Sequence, residues 1–310
     1  MINTTDDTTD FEVGSTPLVP EAWGRLRRHV PLAPFTWFRV GGMADYVFEP
    51  ASIQGLQAFM KAKPVPGPYI PLGAGSNVLI RDGRLKGCVL FLPPDCGTIT
   101  QPAPDRLEAG AKVLDKKLAK VACEKGLGGL EFLYTIPGTL GGALRMNAGA
   151  FGSDIAHVLV SATIMTPEGE IHRLPAADLG FAYRQCGLPE GTLFLSGQVK
   201  VSPQPPEEIR QVIDGLSAQR RSSQPSGRTG GSTFKNPLPQ KAWELIDKAG
   251  MRGAQVGQAE MSHHHCNFMI NKGGARACDL EALGENVRKA VQKTSGVALT
   301  WEIVRLGSHV

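Results

Sequence analysis

Pro71-Leu72-Gly73-Ala74-Gly75-Ser76-Asn77-Val78-Leu79-Ile80 is the stretch on which the reading of this chain turns. An apolar strand candidate, Tyr69 to Leu72, runs into two glycines one residue apart, then into Ser76 and Asn77, and then into a second apolar run. The pattern predicts a strand, a tight turn and a strand. Glycine at 73 and 75 opens backbone angles closed to other residues and removes the side chains that would hold a large anion off the main chain. Successive N–H groups of such a turn form a concave anion site, and Ser76 and Asn77 can add side-chain donors. The stretch is read as a diphosphate-binding turn for a cofactor, with an ordinary hairpin turn as the plainer alternative.

A second glycine-rich segment supports the cofactor reading. It runs Thr135-Ile136-Pro137-Gly138-Thr139-Leu140-Gly141-Gly142-Ala143 and continues as Met146-Asn147-Ala148-Gly149-Ala150. Small residues recur where bulky ones would normally fill a core, so either something flat or extended lies against this backbone or two protein segments pack closely there.

Outward from these two segments the chain divides into three units after a disordered lead at residues 1–20. Residues 21–92 read as a small α+β unit. A short helix is expected over Pro20 to Val30, strands over Thr36 to Gly42 and Ala44 to Glu49, and a helix from an N-cap at Ser52 that buries Ile53, Leu56, Phe59 and Met60 and stops before Pro64. Lys86 to Leu92 is a buried-strand candidate. Residues 93–203 carry an amphipathic helix over Val113 to Lys125, with Leu114, Leu118 and Val121 inward and Gly126 at its C-terminal cap. A mostly antiparallel set follows, over Val158 to Thr166, Glu170 to Leu174 and Leu193 to Val201. Residues 204–310 open at a proline cluster, with helices over Glu207 to Gln219 (Ile209, Val212, Ile213 and Leu216 inward), Gln240 to Ala249 and Asp279 to Thr294. Strands at Cys266 to Asn271 and Ala298 to Leu306 complete that lobe.

Composition narrows the class. A chain of 310 residues is too long for one small core, and 42% hydrophobic with 20% charged residues describes an ordinary globular protein. The net charge of +4 is scattered rather than gathered into a stripe with aromatics, which argues against nucleic acid and leaves anionic small substrates open. Six cysteines without a Cys-x-x-Cys or a small disulfide framework read as reduced thiols of a cytoplasmic protein. No secretory signal and no membrane span is expected, since Met1 to Asp10 is polar and no run of about 18 apolar residues occurs.

Three polar residues stand at ends or turns of apolar segments: Arg184 after Phe181-Ala182-Tyr183, Ser232 after two glycines, and Glu302 within Thr300-Trp301-Glu302-Ile303-Val304. A carboxylate in a β-branched run is costly to bury unless it is paired or used, although strand alternation could equally put Glu302 on a solvated face. Together they suggest a site with one cation, one carboxylate and one hydroxyl. His263-His264-His265-Cys266 invites a metal reading, but neighbours in an extended segment point to opposite sides and no partner set with zinc spacing occurs elsewhere. No metal is expected; contact with substrate, or a cap on the strand, suits these histidines better.

These residues resemble the UDP-N-acetylenolpyruvoylglucosamine reductase family, also called UDP-N-acetylmuramate dehydrogenases. Gly73-Ala74-Gly75-Ser76-Asn77, Ile136-Pro137-Gly138, Asn147-Ala148-Gly149-Ala150, Tyr183-Arg184 and Gly231-Ser232-Thr233-Phe234-Lys235-Asn236-Pro237 occur here in that family's order, over about residues 21 to 307. The first motif is shared with flavin oxidoreductases of the vanillyl-alcohol-oxidase type. The Gly-Ser-Thr-Phe-Lys-Asn-Pro motif, with Arg184 upstream and Glu302 near the end, is much more specific.

The resemblance implies an α+β protein whose first two subdomains hold FAD non-covalently and whose third closes over a UDP-sugar. FAD contacts would come from Gly73, Ala74, Gly75, Ser76, Asn77, Ile136, Pro137, Gly138, Asn147, Ala148 and Gly149. NADPH would reduce the flavin and leave, so that it and the UDP-sugar use the same cleft in turn. Hydride would then pass to the enolpyruvyl methylene, Ser232 would give the proton, and Arg184 and Glu302 would stabilise the enolic form. Tyr183, Lys235, Asn236, His265 and Arg228 would meet the substrate, and the product would be the peptidoglycan precursor UDP-N-acetylmuramate. The chain departs from the family in having Ser223 where many members have a lysine; Arg220, Arg221 or Arg228 stands in as a replacement cation. The interval between Arg184 and Ser232 leaves no room for the tyrosine-bearing loop of the longer subclass, so coverage of substrate would come from elsewhere, such as the surroundings of His265 and Asn267. A monomer is expected. The rivals are an alcohol or sugar-lactone oxidase of the same fold, a nucleotide-sugar-binding module without redox chemistry, and a metal-dependent hydrolase.

Overall fold

The computed structural model describes residues 18–310. The lead expected at residues 1–20 falls, apart from its last three positions, outside the described residues. The first unit is a four-stranded sheet in which β1 (Gly24–Pro31), β2 (Met43–Pro50), β3 (Tyr69–Pro71) and β5 (Leu85–Leu90) lie in the order β1-β2-β5-β3, while β4 (Val78–Ile80) leaves for another partner. Pairing is antiparallel between β1 and β2 and parallel from β2 to β5 to β3. Parallel strands are covered on both faces, which is why β2 and β5 carry the buried run Val47, Phe48, Cys88, Val89 and Leu90. Helix α1 (Ile53–Ala62) covers one face. The Ser52 hydroxyl accepts the Gly55 N–H at 3.0 Å to start it, and Phe59 stacks on Phe48 with ring centroids 3.8 Å apart.

Two expectations fail in this unit. Residues 24–31 form a strand, not a helix, because pairing with β2 overrides the local pattern: Arg27 Nη2 meets Glu49 Oε1 at 2.8 Å across the two strands. Thr36 to Gly42 is a loop. The Thr36 hydroxyl donates to the Val40 carbonyl at 2.8 Å, Arg39 and Gly41 take positive φ, and the segment folds over the first glycine turn through Trp37 N–H to the Gly75 carbonyl at 3.0 Å.

The middle unit is an antiparallel five-stranded sheet. In chain order come β6 (Ile99–Ala103), β7 (Arg106–Gly110), α2 (Asp115–Glu124), β8 (Leu127–Gly128), α3 (Leu140–Met146), β9 (Gly149–Ala150), β10 (Ser153–Asp154), α4 (Ile155–Val158), β11 (Leu159–Met165), β12 (Ile171–Pro175), β13 (Leu193–Lys200) and β14 (Ser202–Pro203). The sheet order is β12-β11-β13-β7-β6, and Leu107, Leu118, Leu140, Leu144 and Val199 lie in one buried core. Leu114 ends up exposed, because it is the extended N-cap of α2 and not part of its apolar stripe. Helix α5 (Pro206–Ser223) packs on α2 and on the turn Glu131–Thr135, burying Ile209 and Ile213 against Cys123 and Tyr134, with Val212 left exposed.

The third unit sets α6 (Ala242–Lys248) and α7 (Ala277–Ser295) against the small sheet β15 (Gln255–Val256), β16 (Ala259–Met261) and β17 (Met269–Asn271). Of the strand expected at Ala298 to Leu306, only β18 (Val304–Leu306) forms. It pairs in parallel with β4, Val304 opposite Val78. The first glycine turn is therefore no hairpin: its incoming strand joins the first sheet, and its outgoing strand joins the end of the chain. All six cysteines are unpaired, and burial pushes the Cys88 and Cys96 thiols up to about 12. Among the described residues no helix is long and apolar enough to cross a membrane.

Candidate active site

The two glycine segments face one another. Ser76 Oγ donates to the Pro137 carbonyl at 3.3 Å. A side chain on Gly138, which has φ +120, would lie 2.9 Å from Ser76 Oγ and 3.9 Å from Asp115 Oδ2, with nothing else near it. A side chain on Gly73 would meet only the Thr139 hydroxyl, at 2.9 Å. Bare backbone thus lines both sides of a cleft, as an extended diphosphate-bearing cofactor requires. Other glycines serve packing: Gly141 sits where a Cβ would be 3.0 Å from the Ala111 Cβ, and Gly75, with φ +65, is pressed on the Phe35 carbonyl. Of the alternatives open in the sequence, close packing is realised at Gly141, while Gly138 is left open on one side. Thr139 also caps α3, accepting from Gly142 N–H at 3.5 Å.

The asparagines do a different job. Asn147 is buried at φ +44, and its amide donates to Asp154 and to the Ala182 carbonyl while its oxygen accepts from Ala156 N–H. Asn77 Nδ2 donates to the Glu302 carbonyl at 3.1 Å. Ala148 is buried, and its carbonyl accepts from Ile155 N–H. These residues shape the cleft from behind.

Next to the second glycine segment, Arg184 Nε donates to Glu302 Oε1 at 2.9 Å and Arg184 Nη2 to the Gly149 carbonyl at 2.7 Å. The pair is shielded, with side-chain exposures of 20% and 10%, so its attraction is little screened. Burial raises the Glu302 carboxyl above the ordinary range, and Arg184 and Lys235 only partly offset that rise. Arg184 holds φ +53, an uncommon backbone for a non-glycine residue, and its guanidinium stands 5.1 Å from the centre of the exposed Tyr183 ring. Lys235 Nζ donates to the Arg184 carbonyl at 3.3 Å. The Glu302 N–H donates to the Thr233 carbonyl at 2.9 Å, which brings the Ser232 turn alongside. The Ser232 hydroxyl makes no hydrogen bond with the described residues and is half-buried beside Gly231, whose φ is +80.

The remaining expected residues scatter. Asn236 Oδ1 accepts Ala242 N–H at 3.0 Å at the start of α6. Asn267 is buried and holds the Phe234 main chain from both sides, at 3.0 and 2.9 Å. His265 sits edge-on to Phe268, 4.8 Å between centroids, and to Trp243, and burial lowers its pKa. His264 Nε2 contacts the Ser222 carbonyl, and the His263 ring lies against Gly253. Arg221 and Arg228 are exposed; Arg220 is half-buried, makes no ion pair with the described residues, and burial lowers its pKa. Sequence reasoning missed Asp115. Both of its carboxylate oxygens are buried beside Gly138 without a partner, and burial raises its pKa well above the usual value. An aspartate at the start of a helix looks like any other helix-capping acid, so only the fold exposes it.

Two family models match. The FAD binding domain matches residues 44–175, and the C-terminal domain of UDP-N-acetylenolpyruvoylglucosamine reductase matches residues 223–306. Among curated relatives, the UDP-N-acetylenolpyruvoylglucosamine reductase of Gluconobacter oxydans is 50% identical, over 92% of this chain and 93% of its own. That of Paramagnetospirillum magneticum is 47% identical over 94% of each. Among solved structures, the reductase of Thermus caldophilus superposes with a TM-score of 0.82 at 32% identity, over 92% of this chain and all of its own.

Proposed function

This chain belongs to the UDP-N-acetylenolpyruvoylglucosamine reductase family, and from that premise we propose that it reduces the enolpyruvyl group with NADPH as electron source through the Arg184, Glu302 and Ser232 site. It is an FAD-dependent oxidoreductase. The glycine cleft of residues 73–76 and 136–138 suits the diphosphate and flat ring of that cofactor. When bound, FAD supplies hydride chemistry, accepting two electrons from the nicotinamide and passing hydride to the enolpyruvyl methylene. The protein's task is to manage the charge that builds on the neighbouring carbon and on the substrate carboxylate. Arg184, held by Gly149 and Glu302, neutralises that carboxylate, and Glu302 in its protonated form, which burial favours, donates a hydrogen bond to the enolic form. Ser232 delivers the proton that completes the new C–H bond. A hydroxyl is a weak acid, so it does so only toward a strongly basic carbon and with a relay to refill it. Tyr183 and Lys235 lie beside Arg184 and contact the sugar or its carboxylate. NADPH and the UDP-sugar enter one cleft in turn, in a monomer acting in the cytoplasm.

The observation that carries this reading is the shielded Arg184–Glu302 pair fastened to both the Gly149 carbonyl and the Thr233 carbonyl. The test is an anaerobic absorbance record of the purified protein. Flavin bands are expected to bleach with NADPH and to return on addition of UDP-N-acetylenolpyruvoylglucosamine; bands that return only with oxygen would overturn it. Ser232→Ala should leave bleaching nearly unchanged and slow the return by about 10²–10⁴-fold. Equal losses in both half-reactions would make Ser232 structural.

A further inference from the structure

Asn77 closes the first glycine turn, yet its amide nitrogen reaches the far end of the chain, with a longer contact of 3.7 Å to the Met146 sulfur in the second glycine segment. Its Nδ2 donates to the Glu302 carbonyl at 3.1 Å, and its own carbonyl accepts Val304 N–H at 3.0 Å. The other peptide group of Glu302 is held too, by its N–H to the Thr233 carbonyl at 2.9 Å. Both peptide groups flanking the Glu302 Cα are therefore tied. One tie runs to the cofactor turn and the other to the turn that carries Ser232. Beyond Glu302 the β18–β4 pairing begins at once, Val304 opposite Val78, so nothing slack lies between the glutamate and the sheet. Through Glu302 Oε1 the chain of contacts continues to Arg184 and to the Gly149 carbonyl in the second glycine segment.

We infer that Asn77 is a positioning residue for the sugar half-reaction: through the Glu302 main chain it sets that carboxyl at a fixed place relative to the cofactor turn. The inference rests on the role given to Glu302 above and adds a residue to it. Without the amide donor, Glu302 keeps its Arg184 bond and its N–H tie to Thr233 but loses the second of the two ties that flank its Cα, and a small displacement of a group that must meet a developing charge costs rate steeply. Asn77→Asp keeps the shape and places an acceptor against the Glu302 carbonyl; Asn77→Ala removes the group.

The test uses the holoenzyme in anaerobic single turnovers, with the two half-reactions timed separately. For both variants, flavin should stay bound, its reduction by NADPH should change by no more than about threefold, and its reoxidation by the enolpyruvyl UDP-sugar should slow about 10–100-fold. If Asn77 acts through Glu302, the Asn77→Asp/Glu302→Gln double variant should reoxidise no more slowly than Glu302→Gln alone, since residues acting as one unit are non-additive. Multiplicative losses in the double variant would overturn the inference. So would loss of flavin, or equal slowing of both half-reactions, in the two single variants, because Asn77 would then serve the cofactor itself. Should Glu302→Gln reoxidise at the parent rate, the reading of Glu302 fails first; should it slow while both Asn77 variants do not, the Asn77 inference alone falls.

Discussion

The chemistry at Glu302 is set by two opposed forces on one carboxyl. Burial favours its neutral form, and Arg184 with Lys235 favours the anion; burial dominates. A carboxyl that keeps its proton to higher pH can donate a hydrogen bond, so the sugar half-reaction should weaken as pH rises through that elevated pKa. Arg184→Ala removes the stronger of the two counter-charges. It should move that limb to still higher pH while lowering the plateau about 10²–10³-fold, as loss of one electrostatic stabiliser does. Glu302→Gln has nothing to titrate and should be flat across the same window. Reoxidation rates against pH for the three proteins check this, and a limb that survives in Glu302→Gln would assign it to another group. The grouping of Arg184, Ser232 and Glu302, which the fold brings together, was legible in the sequence because each is a polar residue that an apolar or glycine-rich context does not explain. Asn236, Asn267 and Asn147 were harder: an amide in a conspicuous motif looks the same whether it meets a ligand or ties a backbone, and here each is engaged with main chain. Asp115 was illegible for the converse reason, since its oddity is the lack of a partner in three dimensions.

At the level of elements, the first glycine turn is squeezed from behind. Gly75 has φ +65, and a Cβ there would run into the Phe35 carbonyl oxygen and lie 3.0 Å from the Thr36 Cα. The loop after Phe35 is in turn latched by Trp37 N–H to the Gly75 carbonyl. Gly75→Ala meets both a strained backbone and a neighbour that is main chain, so it should cost about 2–4 kcal/mol of stability and loosen the flavin. Gly97→Ala, where a Cβ would meet nothing, should stay within about 0.5 kcal/mol. Thermal melts with free-flavin fluorescence after dilution report both quantities, and equal behaviour of the two variants would refute the squeeze. The same loop shows the reach of sequence patterning. Thr36 to Gly42 looks like a strand by composition, but its hydrogen bonds go to Thr36 Oγ1 and to the glycine turn, a use no local pattern encodes. Residues 24–31 likewise lack a clear alternation and become a strand only because β2 is there to pair with. Where helical periodicity and a cap coincide, as at Ser52 and α1, expectation and structure agree to within a residue.

Across the whole molecule, the first unit and the end of the chain are fastened together beside the first glycine turn. β4 and β18 pair in parallel, and Asp82, just past β4, accepts the N–H groups of Ala277 and Cys278 at 2.8 Å each to cap α7. Beside them Glu281 of α7 takes Arg81 Nε and Nη2, each at 2.8 Å, and Arg305 Nη1 at 2.9 Å. Glu281 is 8% exposed, with Arg81 and Arg305 at 23% and 28%, so this is a shielded cluster rather than a surface pair. The Arg81 hydrogen bonds are the main reason its pKa lies below the ordinary glutamate value, ahead of the attraction of both arginines and against the effect of burial. A carboxyl whose folded pKa is lowered contributes stability above its unfolded pKa and loses it as pH falls through the folded one. Glu281→Gln should therefore cost about 1–3 kcal/mol at pH 7, from two arginines left short of a charge partner. The gap between parent and variant should hold down to the ordinary glutamate range, near pH 4.3, and close below it. Urea unfolding midpoints of the holoenzyme across that range measure the gap; one that is constant at every pH would mean the carboxylate acts by shape alone. Because the clamp joins the unit carrying the first glycine turn to the unit carrying Ser232 and Glu302, the loss at pH 7 should also show as slower reoxidation by the UDP-sugar, while flavin reduction by NADPH, which on the proposed mechanism does not need the Ser232 turn, should keep its rate.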